Sequence, residues 1–150
     1  MKMLLYPGII IGKILIFLSR NLHLGGGSSF PGRLALRICP RLLALLAARF
    51  SRGVILVTAT NGKTTTTRML AMGFREAGIP VVYNISGANM AGGIATAMIE
   101  AVSLRGRFRA PLGLFEVDEG SFAAVAPAVG PSLIVVGNFF RDQLDRYGEV

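Results

Sequence analysis

Four short apolar runs punctuate the chain after residue 53: Val54-Ile55-Leu56-Val57, Ile79-Pro80-Val81-Val82-Tyr83, Leu112 to Val117 and Leu133-Ile134-Val135-Val136. Their length and β-branched content predict strands buried in a parallel sheet. Helical patterns lie between them. Thr67 to Gly78 carries Met69, Leu70, Met72 and Phe74, with Gly78 placed as a stop. A second pattern opens at Asn89 or its neighbour and runs to about Leu104; Ala91, Gly92, Gly93, Ala95 and Ala97 let it approach the sheet closely. Ser121 to Ala128 is a shorter helix closed by Gly130-Pro131, and Asn138 to Asp145 is a loop opening a further helix. Strands alternating with helices predict right-handed βαβ units, hence an α/β fold with a parallel sheet covered by helices on both faces.

The first 52 residues read differently, as a helical leader without strands. Met1 to Leu18 is strongly apolar, but Pro7-Gly8 breaks the run and Lys13 sits in what remains. That falls short of the ~20 residues of a spanning helix, and no small-residue cleavage site follows. The pattern predicts a helix from about Gly8 to Arg20, packed on the protein or lying on a bilayer surface. Gly25 to Gly32 reads as a flexible connection. Arg33 to Phe50 reads as helix interrupted at Pro40, with Leu34, Ile38, Leu42, Leu45 and Leu46 on one side and Arg33, Arg37, Arg41 and Arg49 elsewhere. Those arginines form a solvated face, or a positive rim over phosphates or lipid headgroups.

Charge and composition narrow the chemistry. The net charge is +8, and no acidic residue precedes Glu76. The basic residues are scattered through apolar sequence and no aromatic-plus-basic recognition motif accompanies them, which argues against nucleic acid as a partner. Cys39 is the single cysteine and His23 the single histidine. These exclude a disulfide framework, a cysteine zinc site within the chain, and Ser-His-Asp or Cys-His catalysis. What remains is chemistry driven by charge and positioning, as in phosphoryl transfer.

The first apolar run leads directly into Ala59-Thr60-Asn61-Gly62-Lys63-Thr64-Thr65-Thr66. Strand, polar loop, helix is the setting of a phosphate-binding loop, because helix-start N–H groups and the dipole attract anionic oxygens. Thr60, Asn61, Gly62, Lys63, Thr64 and Thr65 form the candidate nucleotide site. Gly62 would let the backbone approach a phosphate, Lys63 would supply charge to the β- and γ-phosphates, and Thr64 a hydroxyl to Mg²⁺. The first glycine of the full G-x-x-x-x-G-K-[ST] pattern is replaced by Val57. Glu116, ending the third strand, is the favoured carboxylate for the metal, ahead of Asp118 and then Glu119. Asn89 is a phosphate or metal-water contact, or an ordinary N-cap. Gln143 offers an amide oxygen to the metal. Arg141 and Arg146 contact phosphates or pair with Asp142 and Asp145. The carboxyl ends of the strands should gather these groups on one edge.

The loop Thr60-Asn61-Gly62-Lys63-Thr64-Thr65 resembles the ATP loop of the Mur ligase and folylpolyglutamate synthase superfamily. Three further stretches, Ser86 to Ile94, Glu116 to Ser121 and Asn138 to Glu149, resemble its lipid II isoglutaminyl synthase branch. The likeness is close from Gly53 to Val150 and looser in the leader. It implies a partial Mur ligase central domain over residues 53–150. It also implies an ATP- and Mg²⁺-dependent carbon–nitrogen ligase of peptidoglycan synthesis, in which lipid II D-glutamate is activated as an acyl phosphate. The resemblance adds ammonia from a partner glutamine amidotransferase (GatD-like) and a site at the inner face of the plasma membrane. By motif, Lys63 and Glu116 are catalytic, Thr64 and Glu116 hold Mg²⁺, and Asn89 and Asn138 border the nucleotide. Gln143 stands where most of the superfamily has a histidine metal ligand, and Ala59 where it usually has glycine. The family's central domain continues further, with a four-cysteine zinc module and a C-terminal domain. The 150 residues alone are therefore expected to bind nucleotide weakly and to lack amidation activity. The competing expectations are an amino-acid-adding ligase of the same superfamily and a membrane-associated P-loop binding module.

Overall fold

The computed structural model describes residues 5–21, 29–84 and 88–139. Three helices come first: α1 (Leu5–Asn21), α2 (Phe30–Ile38) and α3 (Leu42–Ala47). Then follow β1 (Val54–Thr58), α4 (Lys63–Glu76), β2 (Val81–Tyr83), α5 (Ala91–Ala101), β3 (Leu112–Glu116), α6 (Glu119–Val129) and β4 (Leu133–Val136). The four strands form one parallel sheet in the order β2-β3-β1-β4. The α/β fold expected from the alternation is the fold observed.

Alternation along the strands divides the core. Ile55, Val57, Leu112 and Leu114 face α4, where they pack with Leu70, Ala71 and Phe74. Val54, Leu56 and Phe115 face the other way, into a larger cluster with Ile94, Met98 and Ile99 of α5 and Val125 and Val129 of α6. Leu5 and Ile9 of α1, Ala35 of α2 and Leu42 and Leu46 of α3 enter that same cluster, so the leader closes the second face of the sheet. Small residues allow this. A Cβ on Gly32 would lie 1.9 Å from the Gly92 carbonyl oxygen of α5, so only glycine permits this crossing. Gly113 likewise leaves room for the Phe50 and Phe115 rings beside the middle of the sheet.

Several boundaries differ from the sequence expectation, among them α5 at Ala91–Ala101 and α6 opening at Glu119 rather than Ser121, and three have a clear local cause. Helix α1 begins at Leu5 and runs through Pro7-Gly8. Pro7 falls in the first turn, where its missing N–H has no intrahelical acceptor anyway. Helix α2 takes in Pro31-Gly32, which the sequence assigned to the connection, because proline also suits a first helical turn. Helix α4 begins at Lys63 rather than Thr67: Gly62, at φ +82°, turns the chain so that the threonines occupy its first turns. The break at Pro40 separates α2 from α3 as expected. Just past the end of α4, Gly78 takes φ +72°; its N–H donates to Arg75 O and Ile79 N–H to Phe74 O. These paired bonds satisfy the last carbonyls of the helix.

Lys13 of α1 donates to the Glu100 carbonyl oxygen, and Arg20 pairs with the Glu100 carboxylate, which ties α1 to the end of α5. Burial lowers the Lys13 pKa below the ordinary 10.5, against a smaller raising effect of Glu100. No helix among the described residues is long and apolar enough to cross a membrane.

Candidate phosphate-binding site

The four strand ends build one polar edge. Loop β1–α4 leaves the sheet toward one face and loop β3–α6 toward the other, and β1 and β3 are neighbours. The crevice between two such diverging loops is where open parallel sheets bind ligands. Just past β3, Val117 N–H donates to Val57 O of β1 at 2.9 Å, so the loop toward α6 leaves directly beside the end of β1.

Lys63 opens α4 and is almost fully buried. Its ammonium donates to the carbonyl oxygens of Ala59 and Thr60, the latter at 3.2 Å, and to Glu119 Oε2 at 2.8 Å. Gly62 caps the helix with a left-handed φ, and a Cβ there would meet no protein atom within 4 Å. The loop is thus open on the side of the helix start, where an anion would approach. Thr64 is half-buried on the first turn, and Asn61 and Thr65 are exposed.

Glu116 ends β3 and is 2% exposed. By strand alternation it follows Leu112 and Leu114 onto the α4 face, beside the loop. The carboxylate that reaches Lys63, however, is Glu119 at the first turn of α6, which the sequence reading ranked last of the three acids. Spacing along the chain could not reveal this, because the turn from β3 into α6 decides which acid swings across to β1. Asp118 is buried at the N-cap of α6.

The remaining candidates divide. Asn89 lies beside the acidic turn, since its carbonyl accepts Asp118 N–H at 2.9 Å. Asn138 borders the loop, since its carbonyl accepts Thr60 N–H at 2.8 Å. The helix expected from the Asn138–Asp145 loop onward, together with Gln143, Arg141 and Arg146, lies outside the described residues. Ala59 is buried, and a Cβ on Gly137 would lie 2.7 Å from its methyl, so the glycine after β4 makes room for the methyl of Ala59.

One contributor is absent from the sequence expectations. Asn84, just after β2, is buried; its Oδ1 accepts Glu116 N–H at 2.9 Å, and its Nδ2 donates to Glu116 O at 3.0 Å and Ala88 O at 2.7 Å. It replaces a rung of the sheet with a side chain, fixing Glu116 and the approach to Asn89 together. An asparagine one residue past an apolar run was the only available signal.

Whether the site suits a metal turns on its donors. No cluster of three or more metal-ligating side chains of the histidine, cysteine, aspartate and glutamate type exists among the described residues. Mg²⁺ in nucleotide sites needs only one or two carboxylates, with phosphate and water completing the shell. Buried Glu116, the Thr64 hydroxyl position and a buried, unpartnered Glu119 Oε1 fit that requirement.

A parallel sheet, a glycine-turned loop into a helix start and a buried lysine define a phosphate-binding α/β protein of the P-loop kind. The comparisons with known proteins carry the identification further. No protein-family model matches the chain. It is 40% identical over 144 residues, 95% of its length, to the lipid II isoglutaminyl synthase (glutamine-hydrolyzing) subunit MurT of Streptococcus pneumoniae. It is 36% identical over 83% of its length to the MurT subunit of Staphylococcus aureus strain COL. A UDP-N-acetylmuramate–L-alanine ligase of Nocardioides is 35% identical over 77% of the chain. The chain spans only 31%, 27% and 24% of these relatives' lengths, respectively. Over the matched residues, the chain belongs to the Mur ligase family, on the side of its lipid II isoglutaminyl synthase members.

Proposed function

We propose that this chain supplies the ATP-binding part of an amide ligase that amidates lipid II during peptidoglycan synthesis. The carrying observation is the β1–α4 loop, in which Gly62 opens a helix start and the buried Lys63 sits against the acidic turn that follows β3. The names of the MurT relatives supply the substrate class. In this reading the α-carboxylate of D-glutamate in the stem peptide attacks the γ-phosphorus of ATP and ADP leaves. Ammonia then attacks the acyl carbon and expels phosphate, giving D-isoglutamine. Lys63 spreads the charge that develops on the transferred phosphoryl group, and the helix-start N–H groups orient the polyphosphate. Bound Mg²⁺ would neutralise phosphate charge; Thr64 and Glu116 would hold it, with Gln143 as a third candidate. Thr60, Asn61, Thr65, Asn89 and Asn138 would border the nucleotide. The relatives are named as subunits of a glutamine-hydrolysing enzyme. A partner glutamine amidotransferase, GatD-like, is accordingly the ammonia source. Residues 1–52 are the helical lead-in to the nucleotide-binding domain at 53–150.

The protein would work as a peripheral protein at the inner face of the plasma membrane, where a lipid-anchored substrate is reached. Exposed apolar side chains on α1 support that placement.

The direct test uses the intact protein with its amidotransferase partner, ATP·Mg²⁺, glutamine and lipid II. Lys63→Ala should lower amidation by at least about a hundredfold, given the magnitude of single electrostatic contributions at such sites. It should also weaken ATP binding measured by calorimetry. Amidation at wild-type rate by Lys63→Ala would refute the assignment.

A further inference from the structure

We infer that Glu119 is the partner Lys63 exchanges for phosphate: it holds the ammonium before nucleotide arrives, then turns its carboxylate to the cation that accompanies the phosphates. The inference rests on the nucleotide-binding reading above and assigns a role to a residue outside that reading.

An ammonium has three N–H donors. Those of Lys63 go to Ala59 O, Thr60 O and Glu119 Oε2, so the side chain is saturated by its own protein. To reach a β- or γ-phosphate, Lys63 must give up at least one partner. Ala59 O and Thr60 O belong to the loop backbone, and Thr60 is itself fixed through its N–H to Asn138 O. Glu119 is the only one of the three partners that is a side chain, and it can leave by rotation.

Electrostatics gives the exchange its direction. The Lys63 and Glu119 side chains are 10% and 18% exposed, so their attraction is only weakly screened by water. A carboxylate left in place beside Lys63 would repel the incoming phosphate oxygens. It also has an unmet need: Glu119 Oε1 is buried with no hydrogen-bond partner. A buried acceptor without a partner is costly, and a divalent cation or a water bound to it would satisfy it. Glu116 and Asp118, both buried within three residues of Glu119, add to the cation-attracting character of this turn. Glu119 is thus a positioning residue that couples lysine release to metal arrival.

The coupling predicts a specific dependence on divalent ion. In the intact protein, Glu119→Gln keeps side-chain shape but removes the charge. Binding of ATP or ADP in the presence of a chelator should tighten by about tenfold, a solvent-discounted estimate for deleting one charge at this range. The gain in affinity on adding Mg²⁺ should shrink by a similar factor. A second measurement needs no nucleotide. Acylation of the Lys63 amine by a small anhydride, read by peptide mass mapping, should be several-fold faster in Glu119→Gln, because the carboxylate that holds the side chain in the crevice by a charge-assisted hydrogen bond is gone. Glu119→Asp, which keeps the charge, should label nearer the wild-type rate. Unchanged Lys63 labelling in Glu119→Gln overturns the pairing. Wild-type nucleotide binding that Glu119→Gln leaves unaltered, with and without Mg²⁺, overturns the exchange alone. Failure of the wild type to bind nucleotide at all overturns the reading of the loop on which the exchange rests.

Discussion

Asn84 carries more of the site than its size suggests. Its amide meets three backbone groups of two separate segments, so one side chain sets the position of Glu116 and of the turn before Asn89. Removing it strands a buried N–H and two buried carbonyls at once, each costing about 1–3 kcal/mol when unsatisfied. Asn84→Ala should therefore destabilise the protein by about 3 kcal/mol, measured by urea unfolding. It should also weaken ATP·Mg²⁺ binding although Asn84 lies outside the proposed nucleotide contacts. Asn84→Asp is the sharper variant, since it is nearly isosteric but loses both N–H donors and puts a charge against the Glu116 and Ala88 carbonyls. A stability unchanged in both variants would remove Asn84 from the framework of the site.

At the scale of elements, the sheet and its helices were legible because short continuous apolar runs and helical apolar patterns mark the elements, although β4, expected to be buried, is largely exposed. Residues 54–57 and 133–136 announce strands by β-branching, and Gly78 and Gly130 mark helix ends that the structure closes in left-handed conformation. What pattern could not convey is how elements meet. The pairing of Lys63 with Glu119 depends on the turn after β3, and the closeness of α2 to α5 depends on Gly32 meeting Gly92. Helix α1 shows the same limit. Apolar all round in sequence, it buries Leu5, Gly8, Ile9 and Gly12 and leaves Tyr6, Ile10, Ile14 and Phe17 exposed, with Phe17 at 66%. These four recur at intervals of four and three residues and form a single outward stripe. Arg20, paired with Glu100, lies on the same helix; Arg33 and Arg37 are exposed on α2, which packs against α1, and Arg41 is exposed just before α3. An apolar stripe with basic neighbours suits an anionic bilayer surface. Co-sedimentation with vesicles containing anionic lipid should fall several-fold in Ile14→Asn/Phe17→Asn, and in wild type at high salt. Equal binding to neutral and anionic vesicles would remove the charge half of this account.

The whole molecule is asymmetric about β1. On one side both faces of β3 are buried, and the edge strand β2 beside it is half-buried apart from the exposed Tyr83. On the other, β4 is the last strand of the described sheet, and Leu133, Ile134 and Val136 are exposed. Register assigns these side chains to both faces: Leu133 sits opposite Ile55 on the α4 side, whereas Ile134 and Val136 sit opposite Leu56 and Thr58 on the α6 side. Among the described residues no strand pairs with the outer edge of β4. An apolar strand with an unpaired edge is a template for association. The relatives are about three times as long as this chain. Their further length offers material to cover such an edge. The 150-residue chain by itself should accordingly self-associate at micromolar concentration, seen as a rising sedimentation coefficient with loading. Ile134→Thr combined with Val136→Lys should return it toward monomer while leaving β1–β3 pairing and helical circular dichroism intact. A monomer in the unsubstituted chain would mean that β4 is covered from within the 150 residues, and the search for a covering segment would then turn to residues 140–150.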